Sequence, residues 1–123
     1  MSKLVPGKKV GFDPADPASG VSGSRLYYGP SGSNWDSSND ADYDKPNVDL
    51  GAMPVETGTL PDGTSATLRI ADTSKLPGTI EVDELVALVD YDAAGNLSDF
   101  SAPVTVPLDH QAPAAPTGGV VLG

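Results

Sequence analysis

Apolar positions along the chain fall in short runs, and the clearest is Glu81 to Tyr91, EVDELVALVDY, in which Leu85 to Val89 is apolar on both faces. A helix is the rival reading of VDELVALVD. Bracketing by LPG before and DAAGN after, with β-branched residues at the centre, predicts a strand instead. The turn Asp92-Ala93-Ala94-Gly95-Asn96 leads into Ser101 to Val106, SAPVTV, which closes a hairpin. Pro103 and Pro107 suit an edge strand, because proline has no N–H to give to a second ladder. Thr64 to Ile70 alternates as a half-buried strand does, with Ala66, Leu68 and Ile70 on one side and Thr67 and Arg69 on the other. Lys8 to Phe12 is a shorter strand stopped by Asp13-Pro14, Arg25 to Gly29 places Leu26 and Tyr28 on one face, and Asn47 to Ala52 reads as a short edge strand. Between these, Pro30 to Pro46 is dominated by Ser, Asn, Asp and Gly and predicts a long exposed loop.

Composition agrees with strands rather than long helices. The 14 glycines and 12 prolines make up 26 of 123 residues, about twice their combined average usage, and they punctuate the chain without a period. Short strands separated by such turns are the signature of a small all-β sandwich or barrel, and this length predicts one domain with one modest core. Disorder is the competing reading, and the strand patterns of the second half argue against it.

Seven basic against 17 acidic residues give a net charge of −10. Nucleic-acid binding rests on clustered Lys and Arg, which are not present. The longest apolar runs, such as Val86 to Val89, fall far short of the roughly 20 residues of a spanning helix. Residues 4 to 20 contain Pro6, Lys8, Lys9, Asp13, Pro14, Asp16 and Pro17, so no signal peptide is read there, and with Met1 native the expectation is synthesis in a host cytoplasm. The absence of cysteine excludes disulfide scaffolds and thiolate-bound zinc. The charge is uneven: residues 1 to 12 carry three lysines and no acid, whereas residues 36 to 62 carry seven acids against Lys45.

In order, VGFDPAD, GSRLYYGPSG, VDLG, ATLRIADTSKLPGT and LVALVDYDAAGNLSDFSAPVTV resemble a fibronectin type III domain of the bacterial and phage kind. The last is the most specific. The family's penultimate strand runs through alternating apolar residues into an Ala-Asp or Val-Asp turn with Gly-Asn and a Ser before the final strand, and Val86 to Ser101 matches nearly throughout. The resemblance spans about residues 8 to 107 and implies an all-β, immunoglobulin-like sandwich of two sheets and seven strands. Residues 1–7 form an N-terminal arm in this reading, and residues 108–123 a linker and extended C-terminal arm. Phe12 stands where the family's second strand carries a tryptophan, and after Leu76-Pro77-Gly78-Thr79 the sequence reads Ile80-Glu81-Val82 where the family has a corner tyrosine. Only Met1 to Gly7 precede the segment resembling the second strand, whereas Ala112 to Gly123, APAAPTGGVVLG, resembles the lead-in and first strand of a following domain. The expectation is that Val120 to Leu122 cap an open edge of another subunit, with a frayed terminus as the plain alternative.

Few constellations point to chemistry. The single histidine, His110, lies beside Asp109 in the proline-bounded PLDHQAP, a poor platform for a Ser/His/Asp arrangement. Glycoside cleavage needs two carboxylates across a cleft, and 17 acids make any one close pair uninformative. Calcium is the better case, because Asp36, Asn39, Asp40, Asp42 and Asp44 crowd one loop with hard oxygen donors. Asp40-x-Asp42-x-Asp44 opens like a helix-loop-helix site, yet Lys45 falls on its glycine position and Gly51 on its glutamate. Asp36, Asp40, Asp42 and Asp44 are therefore candidate ligands, a solvated acidic loop is the simpler reading, and no other cofactor is expected. Trp35 and Tyr43 either mark a contact surface for protein or sugar, or Trp35 folds back over the sheet as a satellite cluster.

Taken with the resemblance, these features give the expectation of a non-enzymatic virion structural protein, an accessory head protein that decorates or cements a capsid. Its partners would be the major capsid protein or another virion protein, together with further copies of itself through the terminal arms, and neither nucleic acid nor membrane. Lys3, Lys8 and Lys9 would meet acidic surface on the shell or on a neighbour's loop, and Trp35, Tyr43, Val120, Val121 and Leu122 complete the expected interface. A tail or neck component is a variant of this reading. A carbohydrate- or cell-surface-binding module dependent on Trp35 is the alternative, and a piece of a larger enzyme the third.

Overall fold

The structure, a computed structural model, describes residues 9–73, 76, 83–107 and 114–123. Seven strands are described: β1 (Lys9–Phe12), β2 (Val21–Pro30), β3 (Asn47–Gly51), β4 (Val55–Thr59), β5 (Ser65–Asp72), β6 (Glu84–Asp92) and β7 (Val104–Val106). They form two antiparallel sheets in the orders β1-β5-β4 and β3-β2-β6-β7. The chain is an all-β, two-sheet sandwich.

Strand β6 shows why the sandwich closes as it does. Val86 and Leu88 point between the sheets, where they meet Val10, Phe12, Leu26, Ala71, Leu76 and Val106. Ala87 and Val89 point the other way and bury with Tyr27 and Trp35 on the outer face of the four-stranded sheet. A strand apolar on both faces is stable only where both are covered, and here the second cover is the segment between β2 and β3 together with the segment after β6. Phe12 lies in the main core. Of the LPGT turn only Leu76 is described, and residues 80–82, where the resemblance lacks its tyrosine, lie outside the described residues.

The edge of β6 is satisfied by two kinds of partner. β7 pairs with Glu84 to Val86 only. Beyond it the Leu88 N–H donates to Ser101 Oγ at 2.8 Å and the Asp90 N–H to Ser98 Oγ at 2.9 Å, so serine side chains take over where the ladder stops. The intervening turn needs Gly95, whose φ of 90° is the left-handed conformation that costs a glycine least. Asp92 fixes that turn by accepting from the Ala94 and Asn96 N–H groups. β7 does lie at an edge, between Pro103 and Pro107.

One expectation changes, and two features add to the sequence reading. The segment from Pro30 to Pro46 is not simply an exposed loop: Asn39 caps a 3-10 turn at Asp40–Asp44 through the Ala41 N–H, and Trp35 and Asp42 are buried. Strand β4 was not legible, because VETGT offers one large apolar residue and is mostly exposed. In β5 the apolar side faces outward. Pairing of Val10 with Ala71 and Phe12 with Arg69 places Ala71 and Arg69 on the inner face, and leaves Leu68 and Ile70 half-exposed on the outer one. A one-residue slip would turn Val10 and Phe12 out of the core, so β1 fixes the register and β5 conforms to it.

Candidate functional site

Two surfaces and one polar cluster carry the features from which function can be argued. The first surface is the lid over the four-stranded sheet. Phe100 is its hub: its ring stacks on Tyr43 at 4.5 Å between centroids and on Trp35 at 6.4 Å, and meets Tyr27 edge-on at 4.9 Å. The Tyr27 hydroxyl donates to the Tyr43 carbonyl at 2.6 Å, and the Tyr43 hydroxyl donates to the Ser98 carbonyl at 2.9 Å. The Phe100 N–H donates to Ser37 Oγ. Trp35 is 8% exposed and Tyr43 half-buried, so these two side chains serve the satellite cluster and offer little face to a sugar or a protein.

The acidic side chains of the lid hold the lid itself. Asp42 accepts from the Asp36 N–H at 2.6 Å and pairs with Lys45 Nζ at 2.9 Å, while the same ammonium donates to the Asn34 carbonyl. Asp36 accepts from both the N–H and the hydroxyl of Ser38. Asp40 and Asp44 are exposed. Among the described residues no three His, Cys, Asp or Glu side chains gather as a group that could hold a metal ion, and of the candidate calcium ligands Asp36 and Asp42 lie together. The donor groups have a titration consequence. The Asp36 N–H, and after it Lys45, hold the Asp42 carboxyl below the usual carboxylate range, and the Ser38 hydroxyl and N–H do the same for Asp36. The Asn96 side chain and N–H depress Asp92 likewise. A carboxyl with a lowered folded-state pKa contributes stability that is complete above its unfolded value and lost as pH falls through the folded one. Thermal melting should therefore be flat between about pH 5 and 7 and decline below about pH 4, and Asp42→Asn should remove part of that acid decline. A melting curve already falling between pH 7 and 5 would contradict this.

The polar cluster was not foreseen. Arg69, on the inner face of the three-stranded sheet, reaches across to Asp90 on β6 at 2.7 Å, and its Nε donates to the Asp13 carbonyl at 2.8 Å. Ser24 on β2 donates to the same Asp90 oxygen at 2.7 Å. One guanidinium thus ties the two sheets and the β1–β2 connection at one pole, which is the planar, several-donor task that arginine performs and lysine does not. A cleft of about 470 Å³ opens beside it, between Phe12, Asp13, Arg69, Asp90 and Ser101. Arg69 and Asp90 in its wall are engaged with each other. His110 and Asp109 lie outside the described residues.

The second surface is the outer face of the three-stranded sheet. Leu68 and Ile70 rise from the central strand between two glycines, Gly11 on β1 and Gly58 on β4, with Leu60 and Pro61 as a wall, enclosing a groove of about 770 Å³. Glycine within a strand marks a close approach or a missing side chain, and that was the signal available in the sequence. Lys9 is exposed on this side, at the edge of the sheet. Lys3 and Lys8 lie outside the described residues. Val120, Val121 and Leu122 are 84, 99 and 89% exposed and belong to no strand.

Comparison with known proteins returns no matching family model, no matching curated protein and no matching solved structure.

Proposed function

We propose that the chain is a non-enzymatic structural protein of a phage particle, an accessory head protein that decorates or cements the capsid. The observation that carries the reading is where the apolar surface lies. Ser24, Asp42, Arg69 and Asp90 hold the lid and the sheets, whereas a groove floored by Leu68 and Ile70 and a run of three exposed apolar residues are displayed. Exposed apolar patches mark protein contacts. The strand order supports kinship with fibronectin type III sandwiches: among the described residues, three- and four-stranded sheets in this order match the immunoglobulin-like arrangement from its second strand onward. Lys9, exposed at the sheet edge, is placed to meet acidic surface on a shell.

The sugar-binding alternative placed its weight on Trp35, and the burial of that ring withdraws its main support. The test is addition of the purified chain to particles assembled without it, followed by heating and measurement of released nucleic acid. Binding that raises the release temperature by several degrees is the expected result. Particles that neither bind the chain nor gain heat resistance would overturn the reading.

A further inference from the structure

Among the described residues, strand β1 presents an unfinished edge. Among the described residues Lys9–Phe12 pairs only with β5, and its second row of main-chain groups faces away from the sheet. Such a row is a template for another strand unless charge, proline or a bulge blunts it, and β1 carries one charge, Lys9. Beside this edge the inner face is apolar, and the outer face is apolar at Gly11 with Lys9 at the strand's start. On the inner side stand the core residues Val10 and Phe12. On the outer side Leu68 leans over Gly11, where an added Cβ would come within 2.6 Å of Leu68 Cδ1.

An added strand that suits such an edge is apolar at consecutive positions, because alternate side chains enter opposite faces. Among the described residues one such run is exposed, Val120-Val121-Leu122. We infer that this run, from a second copy of the chain, adds antiparallel to β1, with Val120 and Leu122 beside Val10 and Phe12 and Val121 over Gly11 against Leu68. The registers favour a second copy as the donor. Phe12 pairs with Arg69, which bonds Asp90, so β1 ends at the Asp90 pole of β6. β7 ends at Val106 opposite Glu84, the other pole. The chain therefore leaves the sandwich at the pole opposite the one where an antiparallel partner of β1 must enter, and Val120 to Leu122 join no strand of their own sandwich. Donor and acceptor surfaces differ, so the contact runs head to tail and builds a ring or an open row. Its purpose rests on the assembly reading above; its geometry rests on the sheet edge alone.

The chain has no cysteine, so introduced thiols report cleanly. Lys9→Cys and Val121→Cys variants, prepared separately, are mixed and treated with a short bis-maleimide. The expected result is a cross-linked pair containing one of each, absent when Ala94→Cys, in the exposed β6 turn, replaces Val121→Cys. In parallel, light scattering should show the mass of the unaltered chain rising above 12.5 kDa with concentration, and Val121→Asp holding it there. Val121 is almost fully exposed, so that variant keeps the fold. Equal cross-linking with Ala94→Cys, no cross-linked pair containing one of each variant, or a mass of 12.5 kDa at every concentration would each overturn the contact. A chain that binds particles while staying monomeric would overturn this contact and leave the assembly reading standing.

Discussion

Replacing Trp35 by alanine should destabilise the sandwich by about 3–5 kcal/mol, the range for removing a large buried aromatic. Trp35 is 8% exposed, and its ring lies over Phe100, which in turn rests on Tyr27 and beside Tyr43. Truncation would open a void above Ala87 and Val89, whose burial on the outer face depends on the lid. An exposed contact residue behaves otherwise, since surface substitutions away from packing features usually stay within about ±0.5 kcal/mol. Urea unfolding followed by circular dichroism separates the two outcomes. The unaltered protein offers a second readout, because its single tryptophan should emit as a buried indole and shift to the red only in the unfolding transition.

Arg69→Ala should cost about 3 kcal/mol, near the lower end of the range for breaking a buried ion pair because Asp90 keeps some access to water. The loss would leave Asp90 with Ser24 as its remaining side-chain donor and the Asp13 carbonyl without its arginine. Arg69→Lys should recover little, since one ammonium on a flexible stem does not match the fork that spans Asp13 and Asp90. Removing both charges together, with Arg69→Met and Asp90→Leu, should cost less than the sum of the two single changes, because neither variant charge is then stranded. Additive single and double effects in a denaturation cycle would show that the pair is not coupled across the sheets.

These two residues also show how far the sequence could be read. β6 was legible because its run of apolar residues is bounded by turn signals, and β7 because prolines flank a short β-branched stretch. Arg69 was legible only as the polar side of an alternating strand. Alternation reports two faces without saying which is inside, and the answer came from Val10 and Phe12 on a neighbour about 60 residues away along the chain. The lid was misread for a related reason. Its composition is that of a loop, and its order comes from one tryptophan and one carboxylate whose partners, Phe100 and the Asp36 N–H, are set by folding. Crowded acids looked like a ligand set, yet the oxygens of Asp36 and Asp42 are directed at backbone N–H groups and Lys45. The groove was hidden because Gly11 and Gly58 matter only once Leu68 and Ile70 are known to face outward.

The role proposed for this sandwich is assembly on a particle surface. Its most direct test is sedimentation of particles from a lysate of producing cells through a density gradient, with the chain quantified in each fraction. The account predicts that the chain co-migrates with intact capsids at a fixed ratio to the shell protein and survives washing. A chain found entirely with the soluble proteins at the top of the gradient would contradict it.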